Sequence, residues 1–212
     1  MANEIFEAIR NGDYERVTSL LAADPANAQA RDEKGVSAIM QAVYHRQQSI
    51  LDLLRRQIGD LDIFEAAALG DTSRLRSLLR DHPDLVCTYS ADGFTPLHLA
   101  SFFSKPAAAE ELLKNGADPH AVATNGSKLA VINSAAASNS AELVKMLLRD
   151  GANPDAQQQG GFTALHAAAQ HSNPEMIQAL LDSGADASLR SADGKTAADM
   201  AGPDVIKLLK KD

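Results

Sequence analysis

Six histidines, one cysteine, a few recurring aspartates and two glycine-rich turns are the residues that could carry chemistry in this chain. A helical metal site needs a second ligand three or four residues along the same helix. His45 and His171 have none. His166 and His171 are five apart, which puts them on different helical faces. His82 and His120 read as loop residues without carboxylate–His–nucleophile spacing around them. Cys87 precedes a turn with no base beside it, so a small buried residue is expected there. Gln159-Gly160-Gly161 and Asp193-Gly194-Lys195-Thr196 invite a phosphate-loop reading, but no strand-GxxxxGK[ST]-helix unit surrounds either. Asp118, Asp155 and Asp186 recur about once per repeat, which points to caps and turn bonds rather than to a paired acid and base. No catalytic constellation, metal site or cofactor is implied. What remains is a surface, and the elements that carry it.

Composition narrows the partners. The 28 acids outweigh the 20 bases, for a net charge of −8. That balance disfavours a nucleic-acid backbone as partner. A single Cys excludes an internal disulfide framework and a Cys-based zinc site. The longest apolar stretches, such as 66–69, fall far short of the roughly 20 residues that span a bilayer. The start, Met1-Ala2-Asn3-Glu4-Ile5, is acidic and reads as folded rather than as a signal peptide. The expectation is a cytoplasmic, reduced, soluble monomer. Aromatics are only 4% and Trp is absent, so alanine must fill many close helix contacts in place of large rings.

Repetition supplies the architecture. Gly93, Gly126, Gly161 and Gly194 are spaced by 33, 35 and 33 residues. Leu112, Leu147, Leu180 and Leu208 each open a Leu-Leu pair, 19, 21, 19 and 14 residues after those glycines. The N-terminal third repeats at another distance: residues 4–35 match 62–93 at an offset of 58, with 12 of 32 positions identical. Leu54 is followed only ten residues later by Phe64, so a stretch near Gly59-Asp60 is missing between the second and third units. Within residues 92–118, Asp92-Gly93 signals a turn, Thr95 an N-cap and Pro96 the first helical position. Ser104-Lys105 breaks the helix, Pro106 starts a second, and Gly116 supplies a left-handed end. Two such short helices cannot bury both faces alone, so neighbouring units must stack.

Gly93-Phe94-Thr95-Pro96-Leu97-His98-Leu99-Ala100, Gly161-Phe162-Thr163-Ala164-Leu165-His166-Ala167-Ala168 and the Leu-Leu-x-x-Gly-Ala-Asp runs at 112–118 and 180–186 resemble the ankyrin-repeat family. The resemblance implies an all-α solenoid of about seven helix-turn-helix units with short β-hairpin fingers, one of them missing between units two and three. The units fall at approximately 2–30, 31–60, 61–90, 91–123, 124–158, 159–191 and 192–212. It also implies that His98 and His166 bond locally and tie one repeat to the next. The asparagine hydroxylated in related folds would fall at His120, Asp155 and Ser188, none of which is Asn.

Several units depart from the family pattern. Phe6, Met40 and Phe64 stand where the His is expected, and the fifth unit lacks both Thr and His. That unit also gains two residues, placed between its helices near Ala137 to Ser140, and should be locally looser or irregular. Gly202-Pro203 cuts the first helix of the seventh unit, which ends in Lys207, Lys210 and Lys211 as a polar cap.

In such arrays the partner contacts the fingers and the inner helices. By phase, the expected protein-binding residues are Tyr44, His45, Tyr89, Phe94, Phe102, Phe103, Phe162, Gln170 and His171. Six of the nine aromatics fall at these positions. Either Tyr89, Phe94, Phe102, Phe103 and Phe162 form an exposed anchor cluster, or Phe102 and Phe103 are mostly buried over the irregular fifth unit. A second reading places a small ligand or peptide in the notch between units two and three.

Overall fold

The computed structural model describes residues 2–210. Fourteen α-helices follow one another in seven pairs among these residues. They are α1 Ala2–Asn11 with α2 Tyr14–Ala23, α3 Ala38–Tyr44 with α4 Gln48–Gln57, and α5 Ile63–Leu69 with α6 Thr72–Asp81. Then come α7 Pro96–Phe102 with α8 Pro106–Lys114, α9 Val131–Ala137 with α10 Ala141–Arg149, α11 Ala164–Gln170 with α12 Pro174–Asp182, and α13 Ala197–Met200 with α14 Ile206–Leu209. The inner helices α5, α7, α9, α11 and α13 pack side by side in chain order, and the core runs unbroken from Ile5 to Leu209.

Alanine makes that stacking close. Ala66, Ala67 and Ala68 of α5, Ala100 of α7, Ala135 and Ala136 of α9, and Ala168 and Ala169 of α11 are all buried. Without side chains beyond Cβ, adjacent inner helices approach with little lost rotamer entropy. Larger residues fill the space between inner and outer helices. Leu54, Leu75, Leu112 and Leu147 are fully buried, each stabilising the array by about 1.5–3 kcal/mol. The N-termini are capped as their sequences suggest. Thr95 accepts from the His98 N–H, and Asp13 and Asp71 cap α2 and α6 at identical positions of the 58-residue repeat. Pro25 and Pro83, also equivalent, each open a short 3₁₀ turn after those helices. His82 is the cap between α6 and its 3₁₀ turn.

The connections between pairs are turn loops rather than stranded fingers. No strand forms among the described residues, and the β pairing is confined to isolated antiparallel bridges at Arg31–Ser37 and Val122–Ala130. One bond recurs across the turns: Asp32 N–H to Val36 O, Ser90 to Phe94, Gln158 to Phe162 and Ser191 to Lys195, all at 2.8–3.0 Å. Neighbouring loops are tied by Thr124 N–H to Gly93 O, Gln159 to Ser127 and Ala192 to Gly160. Residues 82–95 link α6 to α7, whereas residues 58–62 alone link α4 to α5.

The structure corrects the sequence reading in four places. Cys87 is exposed, its Sγ 3.7 Å from the Gly116 carbonyl, because the 3₁₀ turn buries Val86 and turns the next residue outward. The two extra residues of the fifth unit do not lie near Ala137 to Ser140. They lie in the turn between Gly126 and Val131, and the α9–α10 connection matches its neighbours. That unit is therefore irregular in its turn, while Asn133 takes over the bonds of the missing His. Its Oδ1 accepts from the Ala130 N–H and its Nδ2 donates to the Ala156 carbonyl, both at 3.1 Å. Phe64 is not at the His position, which holds Glu65, the third residue of α5 after its Asp62 cap. Phe6 is likewise one residue early, because Glu7 matches Glu65 in the repeat. Lys207 lies in α14 and Lys210 caps it, while the remaining expected cation, Lys211, lies outside the described residues.

Candidate partner-binding face

The third residue of the four inner helices α5, α7, α9 and α11 is a buried polar group: Glu65, His98, Asn133 and His166. In pair four, the Thr95 N–H donates to His98 Nδ1 at 3.3 Å, so Nδ1 is the unprotonated nitrogen. The proton sits on Nε2, which donates to the Leu129 carbonyl of the next pair at 2.9 Å. Burial pushes the His98 ring down to about 4, against a smaller opposing effect of the Leu129 carbonyl. His166 repeats the arrangement with Thr163 and the Lys195 carbonyl at 3.0 Å. Pair three uses Glu65 instead. Its Oε2 accepts from the Asp62 N–H at 2.9 Å and its Oε1 from Ser37 Oγ of pair two at 2.6 Å. Burial and the neighbouring Asp62 charge raise the Glu65 carboxyl above its usual range, more than its hydrogen bonds lower it. These groups are fully engaged in joining repeats and offer nothing to a substrate. Asp118, Asp155 and Asp186 cap turns through the N–H groups of His120, Asp186 and Ser188, each at 2.8 Å. Among the described residues, no three His, Cys, Asp or Glu side chains come together as a metal ion would require.

The aromatic residues divide into those the fold joins and those it separates. Tyr44, at the end of α3, meets Phe103, the cap of α7, at a ring distance of 5.8 Å. Phe103 in turn receives Phe102 edge-to-face at 5.2 Å. A continuous strip therefore crosses from pair two to pair four over α5. Phe103 shares its recess with Val43, Ala68 and Leu69. That recess lies between pairs two, three and four. Phe102 is 47% exposed and Tyr89 is 43% exposed, while Tyr44, Phe94, Phe103 and Phe162 are half-buried. Phe94 packs on its own His98 ring at 6.0 Å, and Phe162 on His166 at 5.6 Å. Those two rings support their repeats, and Phe162 lies outside the strip. His45, Gln170 and His171 are exposed at the ends of α3 and α11.

Sequence reasoning missed the groups that hold the strip in place. The Tyr44 hydroxyl donates to Asp92 Oδ2 at 2.5 Å, and Asp92 Oδ1 accepts from Ser90 Oγ at 2.6 Å. Burial, the bond to Asp92 and its charge all push the Tyr44 hydroxyl far above the usual phenol range, so it stays protonated and donating. A Cβ on Gly35 would come within 2.9 Å of the Ala91 Cβ, so the turn loops of pairs two and four touch where pair three has only residues 58–62. Beneath this contact lies a cavity of about 230 Å³ lined by Arg31, Met40, Asp62, Phe64, Ser90 and Leu99 among others. Its polar groups are already paired, Arg31 with the Gly35 carbonyl and Asp62, and Ser37 with Glu65. The motif Asp62-x-x-Glu65, a capping box, was the signal for Glu65.

Comparison with known proteins places this geometry. A family model described as ankyrin repeats (3 copies) matches residues 5–123 and 132–212. The unmatched stretch between them contains the two inserted residues. Over 100 residues, 46% of this chain, the sequence is 30% identical to delta-latroinsectotoxin-Lt1a of Latrodectus tredecimguttatus. The shared stretch is 8% of that protein's length. Among the described residues, no helix is long and apolar enough to cross a membrane.

Proposed function

The chain belongs to the ankyrin-repeat family, and we propose that it is a non-catalytic recognition module that captures a partner protein on its concave face. Ankyrin repeats are in general protein–protein interaction modules. The site proposed here is the strip Tyr44–Phe103–Phe102, with Tyr89 and His45 exposed on the same inner-helix and turn surface. Gln170, His171 and Phe162 form a separate, secondary part of it. The observation that carries this reading is Phe102, nearly half exposed and edge-on to a ring that is itself fixed to Tyr44. Preorganised aromatic area of this kind binds at low entropy cost and dominates interface energetics. The proposed working state is a cytoplasmic monomer.

The test is affinity capture from lysate of the native host, comparing wild type with Phe102→Ala and Phe102→Ala/Phe103→Ala. A protein retained by wild type and lost from folded variants supports the site. Identical retention moves the site elsewhere.

The second reading, a small ligand or peptide in the notch, rests on the cavity under the Gly35–Ala91 contact. It is the weaker one, because a ligand there would have to replace the Arg31–Asp62 and Tyr44–Asp92 bonds before gaining its own.

A further inference from the structure

The aromatic strip is flanked by cations to which the fold gives no acidic partner. We infer that its occupant is an extended acidic segment of a partner protein carrying one apolar or aromatic anchor residue. This rests on the concave-face reading above and names the class of ligand.

Several basic side chains of the N-terminal half are engaged. Arg16 pairs with Glu4, Arg31 with Asp62, Arg55 with Asp71, Arg74 with Asp60 and Arg76 with Glu111. Arg10, Lys34, Arg46 and Lys105 have no such partner within 4.0 Å among the described residues. Among the same residues Arg56, Lys128, Arg149, Arg190, Lys207 and Lys210 also lack one, so it is the position of the first four that matters. Arg10 and Lys34 line an open recess of about 540 Å³ together with Tyr44 and His45. Arg46 and Lys105 line another of about 210 Å³ with Phe103. The Tyr44–Phe103 ring contact joins the two recesses.

Acids face the first recess as well, but they are occupied. Asp32 accepts from the Lys34 and Val36 N–H groups and from Gln41 Nε2. Asp92 accepts from Tyr44 and Ser90. Glu33 alone has no donor there. Asp32 and Asp92 are held by the fold's own donors but keep their charge, so with Glu33 the first recess carries three acids to two bases; the second recess, with Arg46 and Lys105 and no acid, is the basic one. An incoming acidic segment would find charge-assisted partners first at Arg46 and Lys105 beside Phe103, and then at the unpaired Lys34 and Arg10 beyond Tyr44, in a chain whose net charge is −8. A nucleic acid fits less well. The overall charge repels it, and rings packed edge-to-face offer no flat platform for successive bases.

Panning a random 12-residue peptide phage library on the full chain tests this directly. The expected enrichment is Asp- and Glu-rich peptides around one Leu, Phe or Trp. A synthetic consensus should bind about tenfold or more weakly to Lys34→Glu/Arg46→Glu/Lys105→Glu. The milder Lys34→Gln/Arg46→Gln/Lys105→Gln guards against misfolding, and circular dichroism checks both variants. Neutral or basic peptides that are lost on Phe102→Ala would overturn the acidic inference and leave the concave reading standing. Peptides indifferent to Phe102→Ala and to charge reversal contradict both. An empty selection, or an oligothymidylate that competes as well as the peptide, overturns the acidic-peptide assignment.

Discussion

The Tyr44 hydroxyl and the Asp92 carboxylate, 48 positions apart in the chain, share a 2.5 Å hydrogen bond that spans the gap above α5. With only residues 58–62 between α4 and α5, the turn loops of pairs two and four meet directly. The shortened third unit is therefore bridged by its neighbours, and the bridge fixes the Tyr44 ring on which Phe103 rests.

Tyr44→Phe should lower stability by about 1–2 kcal/mol, because a partly buried carboxylate loses a donor. Urea unfolding of Tyr44→Phe, Asp92→Ala and the double variant should give a coupling energy of about 0.5 kcal/mol or more. Additive losses would show that the two residues do not hold the loops together.

His98 makes stability depend on pH. Its folded-state value of about 4 lies below the ordinary 6.5, so the unfolded chain takes up the proton first. The contribution is complete above about pH 6.5 and is lost as pH falls toward 4, by about 3 kcal/mol in total. Asn133 already fills the same position in pair five. His98→Asn should therefore fold and lose less stability than wild type between pH 7 and pH 4.5, measured by urea midpoints. An unchanged pH dependence would remove His98 as its source.

Two turn glycines should respond differently to alanine. Both Gly93 and Gly194 have positive φ, 85° and 79°. A Cβ on Gly93 would meet the Asn125 backbone nitrogen at 2.8 Å, while one on Gly194 meets nothing. Gly194→Ala carries only the backbone cost of about 1 kcal/mol, and Gly93→Ala should cost about 1–2 kcal/mol more as the adjoining loops are forced apart. Equal melting temperatures would contradict the close loop stacking.

Much of this fold was legible because its signals are local and repeated. Thr95-Pro96, Lys105-Pro106 and Gly116 mark boundaries within one unit, and their phase recurs. The missing residues were legible as an offset, but not what crosses them, since Tyr44 and Asp92 share no local pattern. The register of α5 was misjudged because Ile63-Phe64 drew attention from the Asp62/Glu65 box one residue later. The insertion was misplaced because glycine spacing alone does not say on which side of a helix the extra residues fall. Cys87 was misjudged because a 3₁₀ turn reverses facing from one residue to the next. Of the expected surface aromatics, only exposure and ring contacts separate Phe102 from Phe94 and Phe162, which lean on their own histidines.

That separation gives a stability prediction. Phe102→Ala should change unfolding free energy by less than about 0.5 kcal/mol, while Phe103→Ala should cost about 1–2 kcal/mol through its lost contacts with Tyr44 and the α5 end. Denaturant midpoints of the two variants distinguish them. A larger loss from Phe102→Ala would make that ring structural.

The most direct test of partner capture is site-specific photo-cross-linking in native-host lysate. Benzoylphenylalanine would replace Phe102 on the inner face and, in a second protein, Gln178 on the outer helix α12. The expected result is one discrete protein adduct from position 102, absent from position 178 and competed by unlabelled wild type. Adducts from position 178 alone, or none that wild type competes, would contradict a partner site on the concave aromatic strip.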